Sequence, residues 1–500
     1  MARDHLLVID QGTTSTRVII YDLKLKTKGI GQEEVPLSYP RPGWVEHDPA
    51  AIVASVGSQV TTALLNARVR AEQIAAIGIT NQRETTVVWD RQTGESIAPA
   101  IVWQDRRTAD ICDRLRDQQT WISEATGLVI DPYFSATKIA WLLENVNGAR
   151  ARAEAGKLAA GTVDTLLIHH LTGGEHLTDV TNASRTLLMD LATDQWSDDL
   201  LKAFAIPRSL LPEIRPSAGD FGKTRGLDYL PDGIPVTGVA GDQQASLIGQ
   251  GCVQAGQAKC TFGTGAFLLA HTGGRVVPST HGLLATRAAT AAGEPAQFAL
   301  EGSVFIAGAA VQWFRDGLKV IRSASEIGDL ALAGDPDTEV VFVPAFTGLG
   351  SPHWQPAARG TVFGLTRDTT LADIARAALE GVAYQVANLI EAVEEDLSTQ
   401  LPELKVDGGM SRSDPFLGFQ ADVLGRPVVR GPETEATALG AALLAGLGAG
   451  VWPDRAAALS LLASGGKTFE PTRDAAWRSR ALARWRRAVE TTRGHYRGGA

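Results

Sequence analysis

Two glycine- and hydroxyl-rich turns and one carboxylate at a strand end are where this chain can do chemistry. Asp10-Gln11-Gly12-Thr13-Thr14-Ser15-Thr16-Arg17 directly follows His5-Leu6-Leu7-Val8-Ile9, an apolar run that reads as a buried strand. A carboxylate, a glycine, four consecutive hydroxyl residues and an arginine suit a metal-bound polyphosphate. Gly12 lets the backbone come close to an anion. The hydroxyls and successive backbone N–H groups can donate to phosphate oxygens, and Asp10 can hold Mg²⁺ or its waters. The same residues also make an ordinary hairpin tip, because Val18-Ile19-Ile20-Tyr21 fits a return strand. The two readings are compatible.

A second turn, Phe262-Gly263-Thr264-Gly265, follows the run Ala258-Lys259-Cys260-Thr261 and precedes Phe267-Leu268-Leu269-Ala270. The order strand, Gly/Thr turn, strand therefore occurs twice without a copied sequence. Between the two, Ala240-Gly241-Asp242-Gln243-Gln244 puts a carboxylate after the β-like stretch 233–240 and before a helix. That position faces the crevice where α/β proteins bind ligands. Phosphoryl transfer to an alcohol needs a positioned base for the hydroxyl proton, although a plain helix N-cap fits the segment equally. Arg83 beside Glu84 offers donors and an acceptor to a polyhydroxylated substrate, or makes a surface ion pair. Trp103 ends the run Ile101-Val102 and either packs on the carbon face of a polyol or belongs to the core. The glycines of Val406-Asp407-Gly408-Gly409 let the backbone lie against a nucleoside. The chain has no G-x-x-x-x-G-K-[ST] loop and no strand–G-x-G-x-x-G–helix unit, so neither P-loop nor Rossmann chemistry is indicated.

Positioning these groups takes strands at 74–79 and 85–89, helices at 138–146, 150–160, 370–395 and 435–447, and a basic, Trp-bearing tail helix at 473–493. The tail reads as a charged surface helix. With 500 residues the chain exceeds one ordinary domain. We expect two α/β halves, 1–245 and 246–500, with a nucleotide in the cleft between them. Hydrophobic residues at 44% and charged residues at 21% are ordinary for a globular protein. A net charge of -9 argues against non-specific nucleic-acid binding. No uncharged apolar run reaches the roughly 20 residues of a membrane span, so membrane insertion is not expected. Cys112, Cys252 and Cys260 lack metal-ligand spacing and read as buried thiols of a cytoplasmic enzyme.

In order along the chain, Asp-Gln-Gly-Thr-Thr-Ser, Asn-Gln-Arg-Glu-Thr, Trp-Gln-Asp-Arg-Arg, Ala-Gly-Asp-Gln-Gln and Gly-Thr-Gly resemble the FGGY carbohydrate kinases. The resemblance runs from about Leu6 to Gly446. It includes the stretch from Tyr133 to Asn145 and the pattern from Gly360 through Asp373 to Glu380; Gly43-Trp44-Val45-Glu46-His47-Asp48-Pro49 is a further, structural feature. It implies two ribonuclease-H-like domains of the actin/hexokinase-like ATPase kind closing on ATP and Mg²⁺. It also implies transfer of the γ-phosphate of ATP to the terminal hydroxyl of glycerol.

Carried over by position, Arg83, Glu84, Tyr133 and Asp242 hydrogen-bond the glycerol hydroxyls, with Gln243 beside them, and Trp103 and Phe267 wall the carbon side. Asp242 is the general base, and Asp10 with Asp242 organises the metal. Thr13, Thr14, Ser15 and Arg17 hold the phosphates on one side and Thr264 on the other. Gly308, Gln312 and Gly409 line the nucleotide. Ser413-Asp414 stands where members that act on glycerol commonly carry Asn-Asn, so Ser413 reaches the nucleoside with a shorter arm. The resemblance further implies a homodimer or homotetramer. A kinase for erythritol or dihydroxyacetone, and a non-catalytic sugar- or nucleotide-binding regulator, are the alternatives. The bulk of Trp103, Tyr133 and Phe267 favours three carbons, and the presence of Asp10, Asp242 and the threonine turn favours an enzyme.

Overall fold

The computed structural model describes residues 3–432, 435–462 and 465–496. Its first half is built on a five-stranded sheet in the order Val236–Gly241, Ile74–Asn81, His5–Gln11, Ser15–Asp22, Thr27–Glu34. The first three strands are parallel and the rest antiparallel. Leu6, Leu7, Val8 and Ile9 are all fully buried, so the central strand is covered on both faces. Alternation divides them. Leu7, Ile9, Val18 and Ile20 pack with helices Pro49–Ala67 and Val163–Thr172. Leu6, Val8, Ile19 and Tyr21 pack on the other face with helices Asp242–Gly249 and Ala436–Gly448.

The second half carries a seven-stranded sheet in the order Leu284–Arg287, Phe298–Val304, Ala266–Gly273, Ala258–Phe262, Leu404–Asp407, Val428–Arg430, Lys467–Phe469. Here too an antiparallel hairpin with a Gly/Thr tip sits beside a parallel neighbour. The repeat read from the sequence is therefore a repeat of architecture. Helix Leu371–Leu397 lies where its apolar periodicity places it. It begins with a capping box in which Thr370 and Asp373 satisfy each other's backbone N–H.

The two halves meet through small residues. Helix Ala436–Gly448 comes from the second half yet packs on the first sheet and on helix Asp242–Gly249. A Cβ on Gly440 would stand 1.8 Å from the Ala245 carbonyl oxygen, so only glycine permits this approach.

Three sequence expectations change. The helix expected over 150–160 ends at Glu154, and Leu158–Gly161 is a strand paired antiparallel with Val87–Asp90. Gly156 at φ 69° turns the chain between them, and so short an apolar run carries no period to separate strand from helix. The tail helix, Ala475–Tyr496, is more than a surface element: Trp485 is 1% exposed and stacks on Tyr384 at 5.4 Å. Helix Pro49–Ala67 is long and apolar enough to cross a membrane, contrary to the sequence reading. Its apolar stripe of Ile52, Val56, Val60 and Ala63 is spent on the first sheet, as a core helix requires. Cys112, Cys252 and Cys260 are buried free thiols, and burial pushes Cys112 and Cys252 up to about 12.

Candidate active site

Both hairpin tips open onto one cavity of about 420 Å³. Asp10, Gly12, Thr13 and Thr14 line it from the first sheet, and Gly263, Thr264 and Gly265 from the second. Arg83, Glu84, Trp103, Tyr133, Asp242, Gln243 and Phe267 complete the wall. A second chamber of about 650 Å³ shares Gly263, Thr264 and Gln312 with the first and adds Gly308, Gly409 and Ser413. The cleft thus holds two adjoining chambers that share the Gly263-Thr264 tip and Gln312.

Of the seventeen site residues read from the sequence, fifteen line these chambers and two stand apart from them. Ser15 begins the return strand, and its carbonyl accepts from Gly12 N at 3.0 Å to close the hairpin. Arg17, opposite Asp10 in the ladder, is ion-paired with Glu435 of the second half and donates to Gln32 at 3.1 Å.

Asp242 is the first residue of its helix, with Gly241 at the cap position. Gly241 N donates to Thr181 Oγ1 at 2.9 Å, and Thr181 donates to Asp179, which fixes the end of the strand. The Asp242 carboxylate accepts from Gln243 N at 2.7 Å and is 30% exposed, so it faces the cavity. It is not spent on capping the next turn.

Arg83 and Glu84 sit in the bend after strand Ile74–Asn81, with Glu84 in the left-handed region at φ 61°. Non-glycine residues hold that conformation where the surroundings over-determine it, commonly at functional sites. The surroundings here are a buried ion network that crosses the halves. Arg83 donates to both oxygens of Glu301 at 2.5 and 3.0 Å, and Arg185 links Glu84 at 2.7 Å to Glu301 at 3.0 Å. Arg83 Nε stands 3.2 Å from Asp242 but out of line for a hydrogen bond, leaving a buried donor without a partner. A substrate oxygen is what such a donor lacks.

Trp103 is a wall and not core. Its ring meets Tyr133 at 5.6 Å and Phe267 at 6.0 Å, edge to face. Its Nε1 donates to Thr13 Oγ1 at 2.9 Å and so ties the aromatic wall to the first hairpin tip. Lys138 holds Tyr133 from behind by donating to the Tyr133 and Phe134 carbonyls. Gly408, at φ 88°, is required by the sister strand: a Cβ there would meet Phe262 O at 2.5 Å. Gly409 alone faces the larger chamber. Ser413 caps helix Asp414–Leu424 by accepting from Phe416 N, while also lining that chamber.

Burial sets the protonation of these groups. It raises Asp10 to about 6, with Arg17 opposing and Asp242 adding to the rise. It raises Glu84 despite the two arginines. Glu301 is pushed up by burial too, but Arg185 and Arg83 outweigh that and hold it below the ordinary glutamate value. Among the described residues no cluster of three or more His, Cys, Asp or Glu side chains forms a metal cage. Two carboxylates on a phosphate-sized cavity are the donor set for an ion that arrives on a polyphosphate, as Mg²⁺ does.

Arg185 and Glu301 escaped the sequence reading. The one available signal was a lone carboxylate in the otherwise apolar stretch Phe298-Ala299-Leu300-Glu301-Gly302.

Two twisted sheets closing on a shared cleft, each through a Gly/Thr hairpin tip, define an α/β phosphotransferase of the actin-like ATPase class. Residues 5–249 match the N-terminal domain, and residues 258–449 the C-terminal domain, of the FGGY family of carbohydrate kinases. The glycerol kinase of Deinococcus radiodurans is 52% identical over 491 residues, covering 98% of this chain and 97% of that protein. That of Rhizobium rhizogenes is 53% identical over 494 residues, covering 98% and 99%. The crystal structure of Plasmodium falciparum glycerol kinase with ADP superposes with a TM-score of 0.90 at 38% identity, covering 98% of each chain. A xylulose kinase from Lactobacillus acidophilus shares the fold, with a TM-score of 0.85 at 21% identity over 99% of this chain and 100% of that one. The chain belongs to the FGGY family of carbohydrate kinases, in the branch of the glycerol kinases. It is an ATP-dependent phosphotransferase.

Proposed function

We propose that the protein transfers the γ-phosphoryl group of ATP directly and in line to a terminal hydroxyl of glycerol, giving sn-glycerol 3-phosphate. One observation carries this reading: Asp242, the Arg83–Glu84 pair and three aromatic rings converge on a single small cavity beneath both hairpin tips. Glycerol has three hydroxyls and little apolar surface, so directional bonds must supply its affinity. Arg83 and Glu84 give charge-assisted bonds in both directions, and Tyr133 and Gln243 add neutral ones. Trp103 and Phe267 close the carbon side. Asp242 takes the proton of the attacking hydroxyl. Thr13 and Thr14 on one tip and Thr264 on the other donate to the phosphates, with Ser15 and Arg17 completing the first jaw once the nucleotide draws them in.

Gly308, Gln312, Gly409 and Ser413 hold the nucleoside in the larger chamber. Mg²⁺ held through Asp10 and Asp242, directly or through waters, would neutralise charge on the phosphates. Most of the catalysis is then positioning and electrostatic complementarity. The division of labour falls near residue 245, with most glycerol groups and the first phosphate turn before it, and Phe267, the second phosphate turn and the nucleoside groups after it. The family likeness also supports a homodimer or homotetramer in the cytoplasm.

A coupled ADP-release assay over glycerol, erythritol, dihydroxyacetone and xylulose tests the substrate. Glycerol should give the highest kcat/KM, because Trp103, Tyr133 and Phe267 crowd the carbon side of the cavity. Equal or faster turnover of erythritol would overturn the assignment.

A further inference from the structure

We propose that Lys259 is the cation behind the phosphoryl-transfer centre, a positioning residue whose counter-charge is the polyphosphate of the nucleotide. The inference rests on the phosphotransferase reading above. Lys259 lies on strand Ala258–Phe262 and is fully buried. Its Nζ donates to Gln243 Oε1 at 2.5 Å and to Thr261 Oγ1 at 2.8 Å, both uncharged. Among the described residues it makes no ion pair. The other cations of this region are already matched: Arg83 and Arg185 by Glu301, and Arg17 by Glu435. Burying an ammonium whose hydrogen bonds go only to neutral acceptors is costly; Asp407 offsets part of that cost without forming an ion pair, and an anion entering the cleft would offset more.

The bonds also give Lys259 a means of action. Gln243 and Thr261 both line the cavity, next to Asp242 and Thr264. With the Gln243 carbonyl oxygen accepting from Lys259, the amide N–H₂ is left to donate into the cleft, while the Thr261 hydroxyl gives its proton to Ser246 Oγ at 3.3 Å, since Ser246 donates to Asp407. Lys259 therefore sets the Gln243 amide as a donor toward the cleft and adds positive potential beneath it. The charged groups facing it are Asp407 on strand Leu404–Asp407, Asp242 on the helix start and Arg83 across the cleft, with Cys260 beside it on its own strand. Asp407 is itself held by Ser246 Oγ at 2.8 Å. Burial depresses the lysine's affinity for its proton, with Asp407 opposing that effect.

The test compares wild type, Lys259→Met and Lys259→Arg for folding, kcat and both KM values. Lys259→Met should lose about 10²-fold in kcat, as removal of a transition-state donor does. Its KM for glycerol should change by a smaller factor than kcat does, since the lysine reaches a glycerol hydroxyl only through Gln243. Lys259→Arg should restore about tenfold of the loss through its charge. A folded Lys259→Met with kcat within about threefold of wild type overturns the proposal, as does equal loss in both variants with KM for glycerol raised in step.

If Lys259→Met fails to fold, the wild-type pH profile decides. The kcat/KM for ATP should fall with rising pH below the ordinary lysine range, because the neutral amine attracts no phosphate. A flat profile to about pH 10 contradicts it. Should wild type prove inert on glycerol, the parent reading fails. Calorimetric binding of Mg²⁺ and a non-hydrolysable ATP analogue then tests Lys259 alone, with about tenfold weaker binding expected in Lys259→Met and equal affinity contradicting the proposal.

Discussion

Replacing Asp242 by Asn is expected to lower kcat by at least about 10²-fold while leaving the melting temperature nearly unchanged. The asparagine has the same shape, and its carbonyl oxygen can still accept from Gln243 N as Asp242 does at 2.7 Å. What it cannot do is take a proton from the attacking hydroxyl. The native carboxylate caps no further turn of its helix, whose cap position belongs to Gly241. Its ion-pair partner is Arg83, which retains both of its bonds to Glu301 in the variant. Local structure therefore has little to lose, and the chemistry has much. Coupled ADP release and a thermal melt on the same preparation measure both. Retained kcat would reduce Asp242 to a helix-start residue.

Replacing Glu301 by Gln should cost about 3–5 kcal/mol of stability, the penalty for breaking a buried ion network from one side. Glu301 is fully buried, and its carboxylate accepts from Arg83 twice and from Arg185 once. A neutral amide leaves two buried guanidinium groups short of charge and places a donor among donors. The effect should reach function as well. Glu301 lies on strand Phe298–Val304 of the second sheet, whereas Arg83 extends from the first, so the pair registers the two halves against each other. KM for glycerol should rise as Arg83 loses its fixed orientation.

The pH dependence has a definite sign. Glu301 is held below the ordinary glutamate value, so its stabilisation is complete above that value and is lost as pH falls through the lowered one. Wild type should therefore lose more stability on acidification than Glu301→Gln does. Urea denaturation across pH checks both statements. A loss under about 1 kcal/mol with unchanged acid sensitivity would show that the network is not needed.

Much of this site was legible in the chain because its parts are local. Asp10 to Thr14 and Phe262 to Gly265 are hairpin tips whose turn residues and flanking apolar runs announce them, and both line the cleft. Asp242 was legible as a carboxylate after an apolar strand, with its two possible roles left for geometry to divide. The buried ion network was not legible. Arg83 and Glu301 are 218 positions apart, and neither periodicity nor spacing records a partner at that distance. Lys259 was hidden similarly, as a single cation inside a strand whose neighbours look like ordinary core. Arg17 illustrates the converse: a residue next to the right motif is engaged by Glu435, which enters only when the second half folds against the first. At the fold level, the strand Leu158–Gly161 shows the same limit, since four small apolar residues carry no usable period.

The central claim is direct transfer between two jaws of one cleft, with no residue accepting the phosphoryl group on the way. ATP made chiral at the γ-phosphorus with oxygen isotopes, incubated with glycerol and the enzyme, tests it in one step. A single in-line displacement predicts sn-glycerol 3-phosphate with inverted configuration at phosphorus. Retention would require two displacements through a phosphorylated side chain and would contradict the account.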